Sequence, residues 1–344
     1  MNQQLRDEII RLAGADRVRT DEPMALHTTF RVGGPADFFV CPENARTLRE
    51  VMLFLEKSGE PWQLIGRGSN LLVSDAGYRG VILALCDMKR EPGTDAHLEA
   101  DEDSRQDHAD PADGEKNGAE PEEERSLLSL TVEGNRVRAG AGVSLGKTAG
   151  TAYRNGLGGM EFAAGIPGSV GGAIVMNAGA YGGEMKQIVS SVTLLDPDGT
   201  IRKLSGEEMH FGYRTSLLKE IRAAVLSAEF ILTPEEPALI RQKMDDLSFR
   251  RRDKQPLQYP SAGSTFKRPK GGFAAALIDQ CGLKGFRCGG AQVSTKHAGF
   301  LINRGSSSRD FLDLMRKVAE AVEKETGIRL EPEIRVIGEE EAAS

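Results

Sequence analysis

Between residues 42 and 58, apolar side chains recur at Leu48, Val51, Met52 and Leu55, a spacing of three and four that puts them on one face of a helix. Gly59 then supplies a helix stop. Short apolar runs at 62–65 and 81–85 predict strands, and 127–132 with 136–139 flank the turn residues Glu133, Gly134 and Asn135, which predicts a hairpin. Further strands are expected at 189–195, closed by the turn Asp196-Pro197-Asp198-Gly199, and at 224–232. From about 234 the texture changes to a charged helical stretch running to 253, followed by a loop containing Pro256, Pro260 and Pro269. A last helix is predicted from Ser308, read as its N-cap, through Phe311, Leu314, Met315, Val318 and Val322 to Gly327. The pattern is α+β, with a larger N-terminal unit over 1–233 and a smaller C-terminal unit over 234–344.

One segment breaks the alternation. Residues 91–125 hold fourteen acidic and three basic residues and no aromatic one, so they carry −11 of the chain's net −7 and leave the rest at +4. Such a stretch cannot bury enough apolar surface to offset an ordering cost of roughly 1–2 kcal/mol per residue. It is expected to be a disordered surface insertion. The mildly basic remainder suits a small anionic ligand, and it lacks the concentrated basic stripe that nucleic acid would require.

No apolar run approaches the ~18 residues of a membrane span, and residues 1–14 carry charge where a secretory signal would be apolar. A cytoplasmic monomer is expected. Cys41, Cys86, Cys281 and Cys288 are scattered, and the five histidines show no ligand spacing, so neither a metal nor a paired redox motif is predicted.

Candidate chemistry comes from three glycine-rich segments: TTFRVGGPADFF at 28–39, GRGSNLLVSD at 66–75 and EFAAGIPGSVGGAIVMNAGAYGGEM at 161–185. Glycine lets successive backbone N–H groups converge on a phosphate, which points to a diphosphate cofactor. The Gly66 segment is no dinucleotide fingerprint, because Leu71 fills the last glycine position and a strand continues where a helix is needed. The run AGVSLGKT at 141–148 fits a relaxed P-loop, the feature that would make the chain an NTPase. Ser144 reads better as the N-cap of a helix over 145–155, which places Lys147 inside its first turn.

Taken in order, GRGSNLLVSD, GIPGSVGGA at 165–173, GYRTS at 212–216, PSAGSTFKRP at 260–269, AQVSTKHAGFLIN at 291–303 and LEPEIRVIG at 330–338 resemble the UDP-N-acetylenolpyruvoylglucosamine reductases, the MurB family. The resemblance runs from about residue 26 to 338 apart from the acidic insertion. It implies an FAD-binding fold of the vanillyl-alcohol-oxidase (PCMH) type plus a smaller C-terminal α/β substrate-binding domain, whose last strand at 330–338 is open to returning to the FAD unit. It also implies NADPH as reductant and a UDP-sugar enolpyruvyl ether as substrate, in peptidoglycan synthesis.

Carried onto this chain, the resemblance gives FAD contacts to Gly66, Arg67, Gly68, Ser69, Asn70, Ile166, Pro167, Gly168, Ser169, Gly171 and Gly172. It gives catalytic roles to Arg214 (carboxylate and enolate), Ser264 (proton donor) and Glu333 (assisting at the same intermediate), with Glu331 the confusable neighbour. Tyr213, Lys267 and Arg268 are the weaker candidates for substrate binding. The short interval between Arg214 and Ser264 resembles the branch that lacks a loop carrying a substrate-clamping tyrosine. An oxidase passing electrons to oxygen is the alternative on the same fold, and the Arg214, Ser264 and Glu333 motifs argue against it.

Overall fold

The computed structural model describes residues 3–86 and 121–338. Its first sheet has four strands in the order Val18–Pro23, Pro35–Val40, Tyr78–Ala84, Trp62–Ile65, antiparallel in the first pair and parallel in the other two. The helix predicted from periodicity covers it as Ala45–Ser58, with Asn44 as N-cap and Gly59 in the left-handed conformation at its end. Leu48, Val51, Met52 and Leu55 are all buried against the sheet.

The second sheet is antiparallel, in the order Ile201–Ser205, Val189–Leu195, Ala224–Ile231, Arg136–Gly140, Leu130–Glu133. Its apolar face joins the largest core, which also holds Val170 and Ile174 of the helix Val170–Met176. The helix Pro237–Lys254 joins that core too, through Ile240 and Met244. The change of texture at 234 is therefore not where packing changes hands. The helix packs with the N-terminal unit through those two residues.

Of the expected insertion at 91–125, residues 91–120 lie outside the described residues. Its last residues do not fit the expectation of disorder. Glu122–Glu124 form a 3-10 turn whose carboxylates pair with Arg138, Arg49 and Arg46 of the N-terminal unit. The charge that makes this stretch look solvated is what docks it.

The C-terminal unit is a three-stranded sheet, Arg287–Cys288, Ala291–Val293 and Leu301–Asn303, packed under helices Ala274–Gln280 and Ser308–Thr326. Helix Ser308–Thr326 is capped by Ser307, one residue before the serine expected, with Asp310 completing a reciprocal capping box. Ser308 instead exchanges hydrogen bonds with Asp75 of the N-terminal unit, donating its backbone N–H at 2.8 Å. Phe30 packs against fully buried Phe311 with ring centroids 4.3 Å apart and the rings tilted. Removing that phenyl ring would cost about 3–5 kcal/mol. The chain then returns: Arg335–Ile337 lies parallel to Leu71–Val73, with Arg335 opposite Leu71. This return brings the residues just before it beside the glycine loop at 66–70.

Candidate active site

Loop 66–70 connects strands Trp62–Ile65 and Leu71–Val73. Gly68 has φ of 66°, and a Cβ there would lie 1.9 Å from the carbonyl oxygen of His27. No other residue fits without moving the loop. His27 is itself fixed, stacked on Phe39 at 4.0 Å and joined through Nε2 to Glu22 at 2.7 Å, while Arg19 donates to the same carboxylate at 2.8 Å. The loop is thus pressed against rigid backbone. Among the described residues no backbone acceptor pairs with the N–H groups of Gly68 and Ser69.

Segment 166–172 faces this loop so closely that a Cβ on Gly66 would lie 2.3 Å from Ser169 Oγ. It is stitched to 141–145 by Gly171 N–H to Ala141 O at 2.8 Å, Val170 N–H to Val143 O at 2.9 Å and Leu145 N–H to Gly168 O at 2.9 Å. That stitching also decides the P-loop question. Ser144 caps its helix by accepting from Lys147 N–H at 3.0 Å, and the fully buried Thr148 hydroxyl donates to Ser144 O at 2.8 Å. The threonine a P-loop would place on magnesium is consumed inside the helix.

Loop and segment wall a cavity of about 570 Å³. Every residue expected at the cofactor, from Gly66 through Gly172, lines it, and so do Arg214, Ser264 and Glu333. Part of the remaining wall comes from helix Pro237–Lys254, which contributes Arg241, Ser248, Arg251 and Lys254 to the lining. The helix gives only Ile240 and Met244 to the core and presents these polar side chains to the cavity, so its sequence carries no continuous apolar stripe.

Arg214 sits in a tight turn, with Gly212 and Thr215 exchanging backbone hydrogen bonds at 3.0 and 3.3 Å, and adopts φ of 54°. A left-handed arginine is strained and persists only where its surroundings hold it. Asn177, buried and also left-handed, is the holder: its Nδ2 donates to Gly212 O at 2.9 Å and to Glu184 at 3.0 Å. Arg214 Nε donates to Glu333 Oε1 at 2.8 Å and Nη2 to Gly179 O at 3.1 Å.

Glu333 is held by its backbone. Its N–H donates to Thr265 O at 2.8 Å, its carbonyl accepts from Asn70 Nδ2 at 3.1 Å, and Asn70 O accepts from Arg335 N–H at 3.0 Å. Burial pushes the Glu333 carboxyl above the usual carboxylate range, against the opposing pull of Arg214. Ser264 lies on the adjoining strand-like segment, bridged to Phe300, and its hydroxyl has no protein partner among the described residues.

The three weaker candidates lie off the cavity wall. Lys267 pairs with exposed Glu331 at 3.3 Å, and the Arg268 guanidinium lies over Phe273 at 4.0 Å. The Tyr213 hydroxyl accepts from Arg268 N–H at 3.3 Å. Sequence reasoning missed Asn177 and the cavity-lining Arg251 and Lys219. The one available signal was an asparagine directly after a short helix, a position that favours the left-handed conformation.

The family described as the UDP-N-acetylenolpyruvoylglucosamine reductase C-terminal domain matches residues 255–337, and an FAD binding domain matches 124–205. A UDP-N-acetylenolpyruvoylglucosamine reductase of Geobacillus kaustophilus is 40% identical over 339 residues, 98% of this chain and 99% of that one. The chain belongs to the UDP-N-acetylenolpyruvoylglucosamine reductase family. A reductase of the same name from Clostridium novyi is 41% identical over 94% of both chains. The crystal structure of the Thermus caldophilus enzyme superposes with a TM-score of 0.71 at 30% identity, covering 92% of this chain and 97% of that one.

The cofactor of this reductase is FAD. The cavity fits it at loop 66–70, where the N–H groups of Gly68 and Ser69 pair with no backbone acceptor among the described residues and can take a diphosphate, with segment 166–172 as the facing wall. Among the described residues no helix is long and apolar enough to cross a membrane.

Proposed function

We propose that this reductase converts UDP-N-acetyl-3-O-(1-carboxyvinyl)-glucosamine to UDP-N-acetylmuramate with NADPH as the electron source, a step in peptidoglycan precursor synthesis that serves cell-wall growth, shape and division. In this reading it acts as a cytoplasmic monomer. Bound FAD supplies hydride transfer from NADPH to the enolpyruvyl double bond. Everything else falls to the residues around it. Loop 66–70 would hold the cofactor's diphosphate at the N–H groups of Gly68 and Ser69, with segment 166–172 closing the wall opposite.

Hydride arriving at the β-carbon leaves negative charge on the carbon beside the carboxylate. Arg214 meets that charge. Its Nε and Nη2 are tied to Glu333 and Gly179, so the guanidinium is oriented before substrate arrives and Nη1 is left for the carboxylate. Ser264 gives its hydroxyl proton to the carbanion carbon, which is basic enough to take it. With Oε1 of Glu333 engaged by Arg214, a proton on Oε2 can donate to the enolate oxygen, a form that burial favours.

The observation that carries this reading is that Arg214, Ser264 and Glu333 line the same cavity as the glycine segments, with Arg214 bonded to Glu333 and the Glu333 N–H bonded to the residue after Ser264. Its test is spectroscopic. The purified protein, loaded with FAD, should lose flavin absorbance on anaerobic NADPH and regain it on addition of the enolpyruvyl substrate. Recovery only with oxygen, and none with substrate, would sink the assignment in favour of an oxidase.

A further inference from the structure

Cys41 and Cys86 are 45 residues apart in sequence, yet their Sγ atoms stand 3.4 Å apart. The strand register explains why. Pro35–Val40 and Tyr78–Ala84 run parallel with Val40 opposite Leu83. Side chains alternate across a strand, so Phe39 and Cys41 share a face with Ile82 and Ala84, and Cys86 continues that face two residues on. The same small apolar cluster gathers all five. Cys41 is fully buried and Cys86 only partly so. Neither lines the catalytic cavity, and no step of the reduction uses them.

We propose that Cys41 and Cys86 are a modification site: a dithiol that a peroxide-class oxidant closes to an intramolecular disulfide and that small thiols reopen. The sulfurs, already in contact, have only to close to the ~2.05 Å of an S–S bond. Cys86 acts first. As thiolate it attacks one oxygen of hydrogen peroxide, the O–O bond breaks, and Cys86 sulfenic acid and one water result. The Cys41 sulfur then attacks the Cys86 sulfur, the S–S bond forms as the S–O bond breaks, and the departing hydroxide takes the Cys41 thiol proton as a second water. Two thiols lose two electrons and one peroxide gains them.

The order follows from access and acidity. The hydrogen bond with Cys86 and then burial push the Cys41 thiol well above the ordinary thiol range, so it is a poor first nucleophile and an adequate resolving one. Closing the pair would fasten two neighbouring strands and spare Cys86 from irreversible oxidation. Because the site lies off the cavity, the reductase keeps its turnover in both forms.

The test treats FAD-loaded full-length protein with hydrogen peroxide, blocks remaining thiols with N-ethylmaleimide and digests it without reductant. Mass spectrometry should find a Cys41–Cys86 linked peptide as the main product, lost on treatment with dithiothreitol, with turnover unchanged before and after. In Cys86→Ser, which alters the more exposed sulfur, the linked peptide should vanish and Cys41 should stay reduced. The proposal is overturned if Cys86 accumulates as sulfinic acid beside an alkylatable Cys41, or if Cys86 couples between molecules. It is equally overturned if the pair stays reduced at a peroxide dose that oxidises Cys281.

Discussion

The Nε of Arg214 donates to Oε1 of Glu333 at 2.8 Å across 119 residues of sequence, joining the strained turn of one unit to the returning segment of the other. The pair has two tasks that conflict. Arg214 needs an ionised partner to stay oriented, while burial makes the Glu333 carboxyl hold its proton more tightly than it would in water. The balance between them sets how the protein responds to pH.

For stability the sign is fixed by the direction of the shift. A carboxyl whose folded pKa lies above its unfolded value binds its proton more tightly in the folded state. The stability this contributes is fully present below the unfolded pKa and is lost as pH rises through the folded one. Glu333→Gln cannot ionise, so its melting temperature should gain on wild type as pH climbs out of the ordinary carboxylate range. Parallel melting curves for the two proteins across that range would show that Glu333 is not perturbed.

Ser264→Ala separates the two halves of the reaction. NADPH oxidation needs no proton donor for the sugar, so flavin bleaching should be as fast as in wild type. Reoxidation by the enolpyruvyl substrate should slow by about 10²–10⁴, the usual worth of one general acid. Stopped-flow absorbance resolves the two steps. Equal slowing of both would mean that Ser264 shapes the cavity and donates no proton.

The sequence told apart what depends on local pattern and failed where burial decides. Strands Trp62–Ile65 and Val189–Leu195 and the Ser144 cap follow directly from short apolar runs, turn residues and capping chemistry. Two adjacent serines both suit an N-cap, and only the contact of Ser308 with Asp75 shows why Ser307 takes that place. Glu331 and Glu333 look alike in sequence, and the fold separates them by leaving one exposed beside Lys267 and burying the other beside Arg214. Asn177 was illegible as a site residue because its partners, Gly212 and Glu184, meet it only in three dimensions.

Gly68→Ala tests the cofactor loop. The new Cβ would meet the His27 carbonyl at 1.9 Å in a conformation that alanine rarely adopts, so loop 66–70 must shift into or away from the cavity. FAD affinity measured by fluorescence titration should fall at least tenfold, or about 1.4 kcal/mol. His27→Ala removes the ring that Phe39 and Glu22 hold and should weaken FAD in the same direction by less. Wild-type FAD affinity in Gly68→Ala would show that the loop does not touch the cofactor.

Two deletions distinguish the acidic segment from the turn that ends it. Residues 91–120 carry few apolar side chains, so replacing them with a short glycine-serine linker should leave turnover and melting temperature close to wild type. Extending the cut through Glu124 is different. It removes the carboxylate that pairs with Arg138, itself only about one-fifth exposed, and the partners of Arg49 and Arg46. The exposed pairs contribute little, about 0–1 kcal/mol each. Stranding the partly buried Arg138 should cost about 1–3 kcal/mol, because its desolvation is no longer offset. The longer deletion should therefore melt measurably lower than the shorter one, with turnover at low temperature still intact. Equal melting of the two variants would show that Glu122–Glu124 dock without stabilising, and a tenfold loss of turnover in the shorter one would give 91–120 a catalytic role that its composition does not suggest.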